Sequence, residues 1–340
     1  MVKRTIAAGV LAIAFSGGAC NAILGNDVHT IAPTPDGGGA DTAPVPPPNP
    51  GCRGLPKACG PGGDEDCCAA RLVPGGTFLR SYDGVTYTDR SYPATVSGFR
   101  LDRFEVTVGR FRQFVSAYDA WRADGHPLAG EGADPRVAGS GWDKAEDGNL
   151  AVSAAALVMA LKCDPSSKTW TDHVATNEER PINCVSWFDA AAFCAWDGAR
   201  LPTEAEWNYA AAGGTAQRAY PWGASAPGAD ARLAVYGCLY GTGACPNAGN
   251  IAPVGSASPA GDGQYGQADL AGNVREWVFG EFAPYVVPCD DCAPVHPGAP
   301  QGFRGGDFSG VQQNLLSSER GGGDPMQRTT RTGVRCARGP

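Results

Sequence analysis

The stretch PINCVSWFDAAAFCAWDGARLPTEAEWNYAAAGG, residues 181–214, reads as two short helices joined by a tight elbow. Ser186 with Asp189 three residues on is a capping-box pattern, because a hydroxyl and a carboxylate can each satisfy a backbone N–H left free by a first helical turn. Phe188, Ala191, Ala192, Ala195 and Trp196 then recur at helical spacing and make one apolar stripe. Gly198 is placed to stop this helix. Thr203 with Glu206 opens the next, and Gly213 with Gly214 closes it. Trp207, Ala210 and Ala211 form its apolar side. Two tryptophan-bearing helices this close cannot cover their own faces, so they are expected to pack under a larger body.

Composition sets the scale of that body. A chain of 340 residues with 43% hydrophobic residues can bury one large core or two modest ones. A net charge of −8 argues against nucleic acid or an anionic membrane surface as partner. Forty-eight glycines and 28 prolines predict much turn and loop and few long elements.

Residues 1–19 have the form of an export signal. Lys3 and Arg4 precede an apolar run over 6–15, and small residues at 16–19 lead to Cys20. The run is too short for a retained membrane-spanning helix. Small residues before a cysteine resemble a bacterial lipoprotein cleavage site, which implies lipidation of Cys20 and a lipid anchor to the membrane. Gly17 stands where an aliphatic residue is usual, so ordinary secretion remains open, and Asn21 in place of Asp implies the outer membrane. The expected location is thus an outer-membrane lipoprotein, or the periplasm or cell surface. Residues 20–51 are a tether, Pro/Gly-rich from residue 30 and without apolar periodicity. A Cys-rich segment at 52–70 precedes the main domain, 71–340.

Thirteen cysteines are present, and setting Cys20 aside leaves an even dozen. In an exported chain that reads as a disulfide framework. Cys52, Cys59, Cys67 and Cys68 are expected to form a small stapled knot, and Cys238 with Cys245 a loop staple. The Cys289–Cys292 pair invites a redox or zinc reading. Its intervening residues, Asp290 and Asp291, should raise a thiol's pKa and disfavour a reactive thiolate, and a zinc site with His296 lacks a clear fourth ligand, which leaves a structural disulfide as the expectation.

The stretch VSWFDAAAFCAWDGARLPTEAEWNYAAAGG, with VPGGTF at 73–78, FRLDRFEVTVGRFRQFV at 99–115, YPWG at 220–223, QYGQADLAGNVREW at 264–277, FRGGDF at 303–308 and GVRCAR at 333–338, resembles the formylglycine-generating enzyme family, also called sulfatase-modifying factor domains. The resemblance implies an irregular, loop-rich α+β fold distantly related to C-type lectin domains, with short strands at 99–108 and 333–337. It implies a bridge between Cys194 and Cys336, while a second family bridge would need cysteines near Ala211 and Arg320. It also places the family's two copper-binding cysteines at Gly310 and Leu315, and residues 302–335 contain no cysteine. Neither side chain can hold a soft metal or act as a thiolate. Arg275 stands where the family carries an aromatic residue. No catalytic residue is therefore assigned, and the family's oxidoreductase activity is not carried over.

Four histidines, His29, His126, His173 and His296, are scattered without an HExxH or i, i+4 pair, so copper or iron is not expected. Iron-dependent relatives take histidines partly from an extra helical domain that this chain lacks. One family metal set remains: the side chains of Asp269 and Glu276 with the carbonyls of Gly272 and Val274 match a structural calcium site. The competing reading has Asp269 capping the turn and Glu276 paired with an arginine. Residues 119–180, with Trp121, Trp142, Trp170 and Cys163, are expected to wall a groove floored by 304–320, with Arg275, Asp307, Gln312, Asn314 and Arg320 as polar contacts. The resulting expectation is a surface lipoprotein whose domain binds a peptide or glycan. The alternative is an oxidoreductase acting on an exported peptide or small molecule without the cysteine pair.

Overall fold

A computed structural model describes residues 49–294 and 299–340. The export signal, Cys20, all of the tether but its last three residues, His29 and His296 lie outside the described residues.

Strand β1 (Ala70–Val73) pairs antiparallel with β4 (Phe99–Asp102), and β2 (Gly76–Leu79) with β3 (Pro93–Val96). β9 (Ala337–Arg338) lies on the other side of β4, so the chain's last strand completes the sheet begun by its first. A second sheet has the order β7-β6-β5-β8, formed by β5 (Arg275–Glu281), β6 (Gln301–Arg304), β7 (Gly321–Gly323) and β8 (Thr332–Gly333). Its β5–β8 pair is parallel and the others antiparallel.

The helices are α1 (Val108–Ala123), α2 (Ala154–Ala160), α3 (Trp187–Trp196) and α4 (Glu204–Ala211). Both capping boxes in the 181–214 stretch form: Ser186 exchanges hydrogen bonds with Asp189, and Thr203 with Glu206. Gly198, Gly213 and Gly214 take positive φ after the two helices, as stop signals should. α3 is buried nearly all round, not along the single stripe that its apolar spacing suggests. Trp187, Phe188, Ala190, Ala192, Phe193, Cys194 and Ala195 are all buried, and only Ala191 and Trp196 are partly exposed. The helix runs through the core with neighbours around it, so no polar face is needed. Phe193 stacks on Phe111 at 5.3 Å and meets Phe114 edge-on at 5.8 Å.

Two expected strands are shorter than the sequence suggests. Residues 99–108 are a strand only as far as Asp102, because Thr107 accepts a hydrogen bond from the Arg110 amide and caps α1. Residues 333–337 split between β8 and β9, because Arg335 turns inward between them. Its guanidinium donates to the Glu276 carboxylate and to the carbonyls of Asp102, Arg103 and Ala268, all out of water. The 119–180 segment is also placed differently from expectation. Trp121, Trp142 and Trp170 are core residues packed with α1 and α3 and do not wall a groove over 304–320.

All twelve cysteines between residues 49 and 340 are bridged: Cys52–Cys68, Cys59–Cys67, Cys163–Cys184, Cys194–Cys336, Cys238–Cys245 and Cys289–Cys292. Cys194–Cys336 joins α3 to the residue before β9. A buried ion network lies beside it, in which Arg110 reaches Asp102 at 2.8 Å and Asp197 at 2.7 Å, and Arg338 pairs with the same two carboxylates.

Candidate ligand-binding site

Two motif loops meet at the end of the second sheet. The Gly272 amide donates to the Gly305 carbonyl at 2.7 Å, and the Phe308 amide to the Asn273 carbonyl at 2.8 Å. Gly305 and Gly306 both have positive φ, and a Cβ on Gly306 would lie 2.7 Å from the Asn314 carbonyl oxygen. Only glycine lets the chain turn that close to the 3-10 turn Gln312–Leu315. The result is a cavity of about 170 Å³ beside the turn, room for about five or six waters or one small polar group.

Its lining is rich in arginine: Arg275, Arg304, Arg320 and Arg331, against Asp307 and Glu319. The four guanidiniums are not equivalent. Arg304 is fully buried, donates to the Glu204 carboxylate at 2.9 Å, and also reaches the Ser317 and Glu319 carbonyls. Burial pushes the Glu204 carboxyl up, but Arg304 and Arg320 outweigh it and hold it below the usual carboxylate range. Arg320 lies over the Tyr285 ring at 4.2 Å and the Phe282 ring at 4.8 Å, and donates to the Ala283 carbonyl at 2.9 Å. These two are held by the protein itself.

Arg275 is different. Its guanidinium lies 3.8 Å over the Phe303 ring, and its Nε donates to Thr332 Oγ1 at 2.8 Å. Among the described residues its terminal nitrogens have no hydrogen-bond acceptor. Burial pushes its pKa down, with Asp307 opposing and Arg331 adding to the effect. Asp307 is turned to its own loop, accepting from the Ser309 amide and hydroxyl at 3.0 and 2.7 Å. Arg331, half-exposed at the rim, is 3.9 Å from that carboxylate. The cavity therefore holds positive charge that its acids do not fully offset.

Of the residues expected in a groove, Arg275, Asp307, Asn314 and Arg320 do line this cavity. Gln312 does not. It is exposed and donates to the Tyr220 hydroxyl at 3.1 Å. Arg304 was legible in principle, since it stands inside the FRGGDF stretch, whereas Arg331 is brought in by the β5–β8 pairing and carries no local signal. Gly310 lines the cavity, but Leu315 points into the core with Tyr220, Tyr236 and Ala271.

The 269–276 turn lies behind this cavity. Asp269 accepts the Gly255 amide at 2.5 Å, and the Glu276 carboxylate is held by Arg335 at 2.7 Å and by Trp207 Nε1 at 2.6 Å. Glu105 is buried nearby, accepting from Asn273 and from the Val274 amide. Burial first, then Asp269 and Glu276, pushes Glu105 well above the usual range, and burial lifts Asp269 to about 6. Three buried carboxylates with Arg335 suit a hard cation in charge. The oxygens of Glu276, committed to Arg335 and Trp207, do not suit one as arranged. No cluster of three or more His, Cys, Asp or Glu side chains fit to hold a metal occurs among the described residues. Copper lacks thiolate ligands there, since every described cysteine is bridged. Of the two described histidines, His126 pairs with Glu131 at 2.7 Å beside Trp121, and His173 is exposed elsewhere.

A model of the sulfatase-modifying factor enzyme 1-like domain matches residues 61–340. The hercynine oxygenase of Mycolicibacterium smegmatis is 32% identical over 286 residues, covering 78% of this chain and 60% of that protein, so the chain spans less than two thirds of it. The inactive C-alpha-formylglycine-generating enzyme 2 of Mus musculus is 32% identical over 216 residues, covering 62% of this chain and 68% of that protein. Among solved structures, PvdO from Pseudomonas aeruginosa superimposes with a TM-score of 0.53 at 22% identity, covering 79% of this chain and 93% of that one, which speaks to fold alone. The chain belongs to the sulfatase-modifying factor family.

Proposed function

We propose that this family member is an exported binding protein whose cavity beside Gly305 and Gly306 takes a peptide or glycan by an anionic group. The observation that carries the reading is Arg275, a guanidinium drawn partly out of water whose terminal nitrogens have no acceptor among the described residues. A carboxylate or sulfate supplies the planar or clustered oxygens such a fork binds, and Arg331 adds a second donor at the rim. The name of the mouse relative, an inactive enzyme, agrees with a family scaffold retained without its chemistry.

Acidic peptides and uronate- or sialate-bearing oligosaccharides, titrated beside their neutral counterparts, test this directly. Binding should favour the acidic members, weaken with salt, and fall at least tenfold in Arg275→Met, as removing a charge-assisted hydrogen bond worth about 1.5–3 kcal/mol requires. Equal binding of neutral and acidic ligands would remove the basis for the reading. The competing proposal, an oxidoreductase on an exported peptide or small molecule, draws on the relative named as an oxygenase. Copper or iron at near one equivalent, with conversion of a thiol-bearing peptide, would establish it instead.

Export is proposed on six disulfides and the signal-like N-terminus. Lipid attachment at Cys20 is tested by labelling with a fatty-acid probe, which Cys20→Ala should abolish. A structural calcium at the 269–276 turn is proposed on charge balance, with Asp269 and the Gly272 and Val274 carbonyls as ligands and Glu276 drawn from Arg335. Chelation should then lower the melting temperature by several degrees, and an unchanged melting curve would dismiss the ion.

A further inference from the structure

We propose that Cys289–Cys292 is a thiol–disulfide exchange site, with Cys292 as the attacked sulfur and Arg80 as the group that stabilises its thiolate. The two sulfurs differ in access. Cys289 is 2% exposed and packed in the core, whereas Cys292 is partly exposed. An accessible sulfur backed by a buried one is the arrangement exchange requires, because an incoming thiolate must reach one and displace the other.

Arg80 supplies the second observation. It follows β2, is itself 2% exposed, and places Nη1 3.6 Å from Cys292 Sγ. Its Nη2 donates to the Val286 carbonyl at 2.5 Å and its guanidinium lies 4.3 Å over the Tyr285 ring. Its Nε has no partner, and no carboxylate lies within ion-pair distance of it among the described residues. The nearest opposing charge, Glu204, is taken up by Arg304, Arg320 and the Tyr285 hydroxyl. A buried cation without a counter-ion is costly. Reduction of the disulfide would create one, a Cys292 thiolate against Nη1.

The acidic neighbours that argue against this chemistry in the sequence are disposed of by the fold. Asp291 turns its carboxylate to the Ser97 amide at 2.7 Å and hydroxyl at 2.6 Å, and Asp290 is exposed to water. The loop also has other tethers than the disulfide. The Thr95 amide donates to the Cys289 carbonyl at 2.8 Å, and the Asp291 amide to the Thr95 carbonyl at 2.9 Å. The dithiol form can therefore stay in place.

With an exported dithiol as reductant, the steps balance. One substrate thiolate attacks Cys292 Sγ, the Cys289–Cys292 bond breaks, and Cys289 leaves as a thiolate that takes a proton. The second substrate thiolate then attacks the substrate sulfur of the mixed disulfide and expels Cys292 as a thiolate beside Arg80. Two electrons pass from the dithiol to the protein, and the substrate leaves as a disulfide. Stabilising the reduced form makes such a site an oxidant.

Reduced glutathione is the probe. The oxidised full chain is incubated with increasing glutathione, acid-quenched, alkylated and mapped by mass spectrometry. Cys289–Cys292 should open while the other five bridges stay closed, and Cys292 should alkylate with a midpoint at least one pH unit below the about 8.5 of a free cysteine. Arg80→Met should raise that midpoint by a unit or more and Arg80→Lys should retain it. If this bridge opens no earlier than the others, or if wild-type Cys292 alkylates with an ordinary midpoint, the site is a staple and the proposal fails. Both deciding readouts use the unmutated chain.

Discussion

Cys194 and Cys336 are both fully buried, and their bridge closes a segment with a sequence separation of 142. In the chain-entropy account, tying ends that far apart removes about 5 kcal/mol worth of freedom from the unfolded chain. The Cys289–Cys292 bridge has a separation of 3, for which the same relation gives about 2 kcal/mol. The two short bridges nested inside the long segment, Cys238–Cys245 and Cys289–Cys292, shorten it only slightly. The Cys194→Ala, Cys336→Ala double variant should therefore lose about 5 kcal/mol of unfolding free energy in non-reducing urea. The Cys289→Ala, Cys292→Ala double variant should lose less than half as much. Replacing both partners avoids stray thiols, and alanine leaves no buried hydroxyl. Because the longer bridge constrains the unfolded state, the loss should appear as a shifted midpoint and a larger urea slope, as the freed chain exposes more surface. Equal losses for the two variants, or a loss under about 1 kcal/mol for the long bridge, would refute the loop-length reasoning.

Two other perturbations follow from the interior. Burial alone would raise Asp102, but Arg338 and Arg110 outweigh it and leave its carboxyl depressed, so its contribution is present above the unfolded value near pH ~3.9 and is lost as pH falls through the lower folded value. Asp102→Asn should cost about 3–5 kcal/mol at neutral pH and flatten the fall in stability that begins as pH drops below about 4, read from urea midpoints. Gly306→Ala forces a side chain onto a left-handed backbone with its Cβ 2.7 Å from the Asn314 carbonyl oxygen. It should cost about 1–3 kcal/mol and weaken ligand binding in a titration of the folded variant.

What the sequence reveals divides by range. The capping boxes at Ser186 and Thr203 are legible because an N-cap and its third helical residue are three positions apart, and no distant contact is needed to close them. The arginine-lined cavity is legible in part for a related reason: Arg275, Asp307, Asn314 and Arg320 sit in or beside motif loops whose glycines fix the local turn. Arg331 is not, since only the parallel β5–β8 pairing carries it to the rim. The inward turn of Arg335 is hidden likewise, because GVRCAR alternates like a strand and nothing local says that a guanidinium will seek Glu276. Trp121, Trp142 and Trp170 look like the wall of a groove only when their spacing in a variable segment is considered alone. Trp121 is carried by α1 itself, and all three are buried in the core cluster that α1 shares with α3. The acid pair inside the Cys289–Cys292 motif misleads in the same way, since Ser97, nearly 200 residues distant in the chain, takes Asp291 out of play.

Burial of charge separates the frame of this protein from the parts proposed to act. Arg304 answers to Glu204, Arg335 to Glu276, and Arg110 to Asp102 and Asp197. Three other guanidiniums are held below their ordinary pKa by burial: Arg80, Arg180 and Arg275. Arg180 also lacks an anion among the described residues; its Nη1 donates to the Ala248 and Ile251 carbonyls, while its Nε has no partner. Arg80 and Arg275 likewise have no carboxylate within ion-pair distance among the described residues, only the more distant Glu204 and Asp307, and a buried cation kept in that condition weakens the fold that holds it. Arg275→Met should then leave the ligand-free domain as stable as wild type or more so, while its binding of acidic ligands collapses, the trade expected where a site is kept for function. Melting curves with and without an acidic oligosaccharide or peptide separate the two effects. Wild type should gain on addition and Arg275→Met should not. Should the variant instead melt well below wild type without ligand, Arg275 is a structural clamp between Phe303 and Thr332, and the cavity loses its claim to an anion.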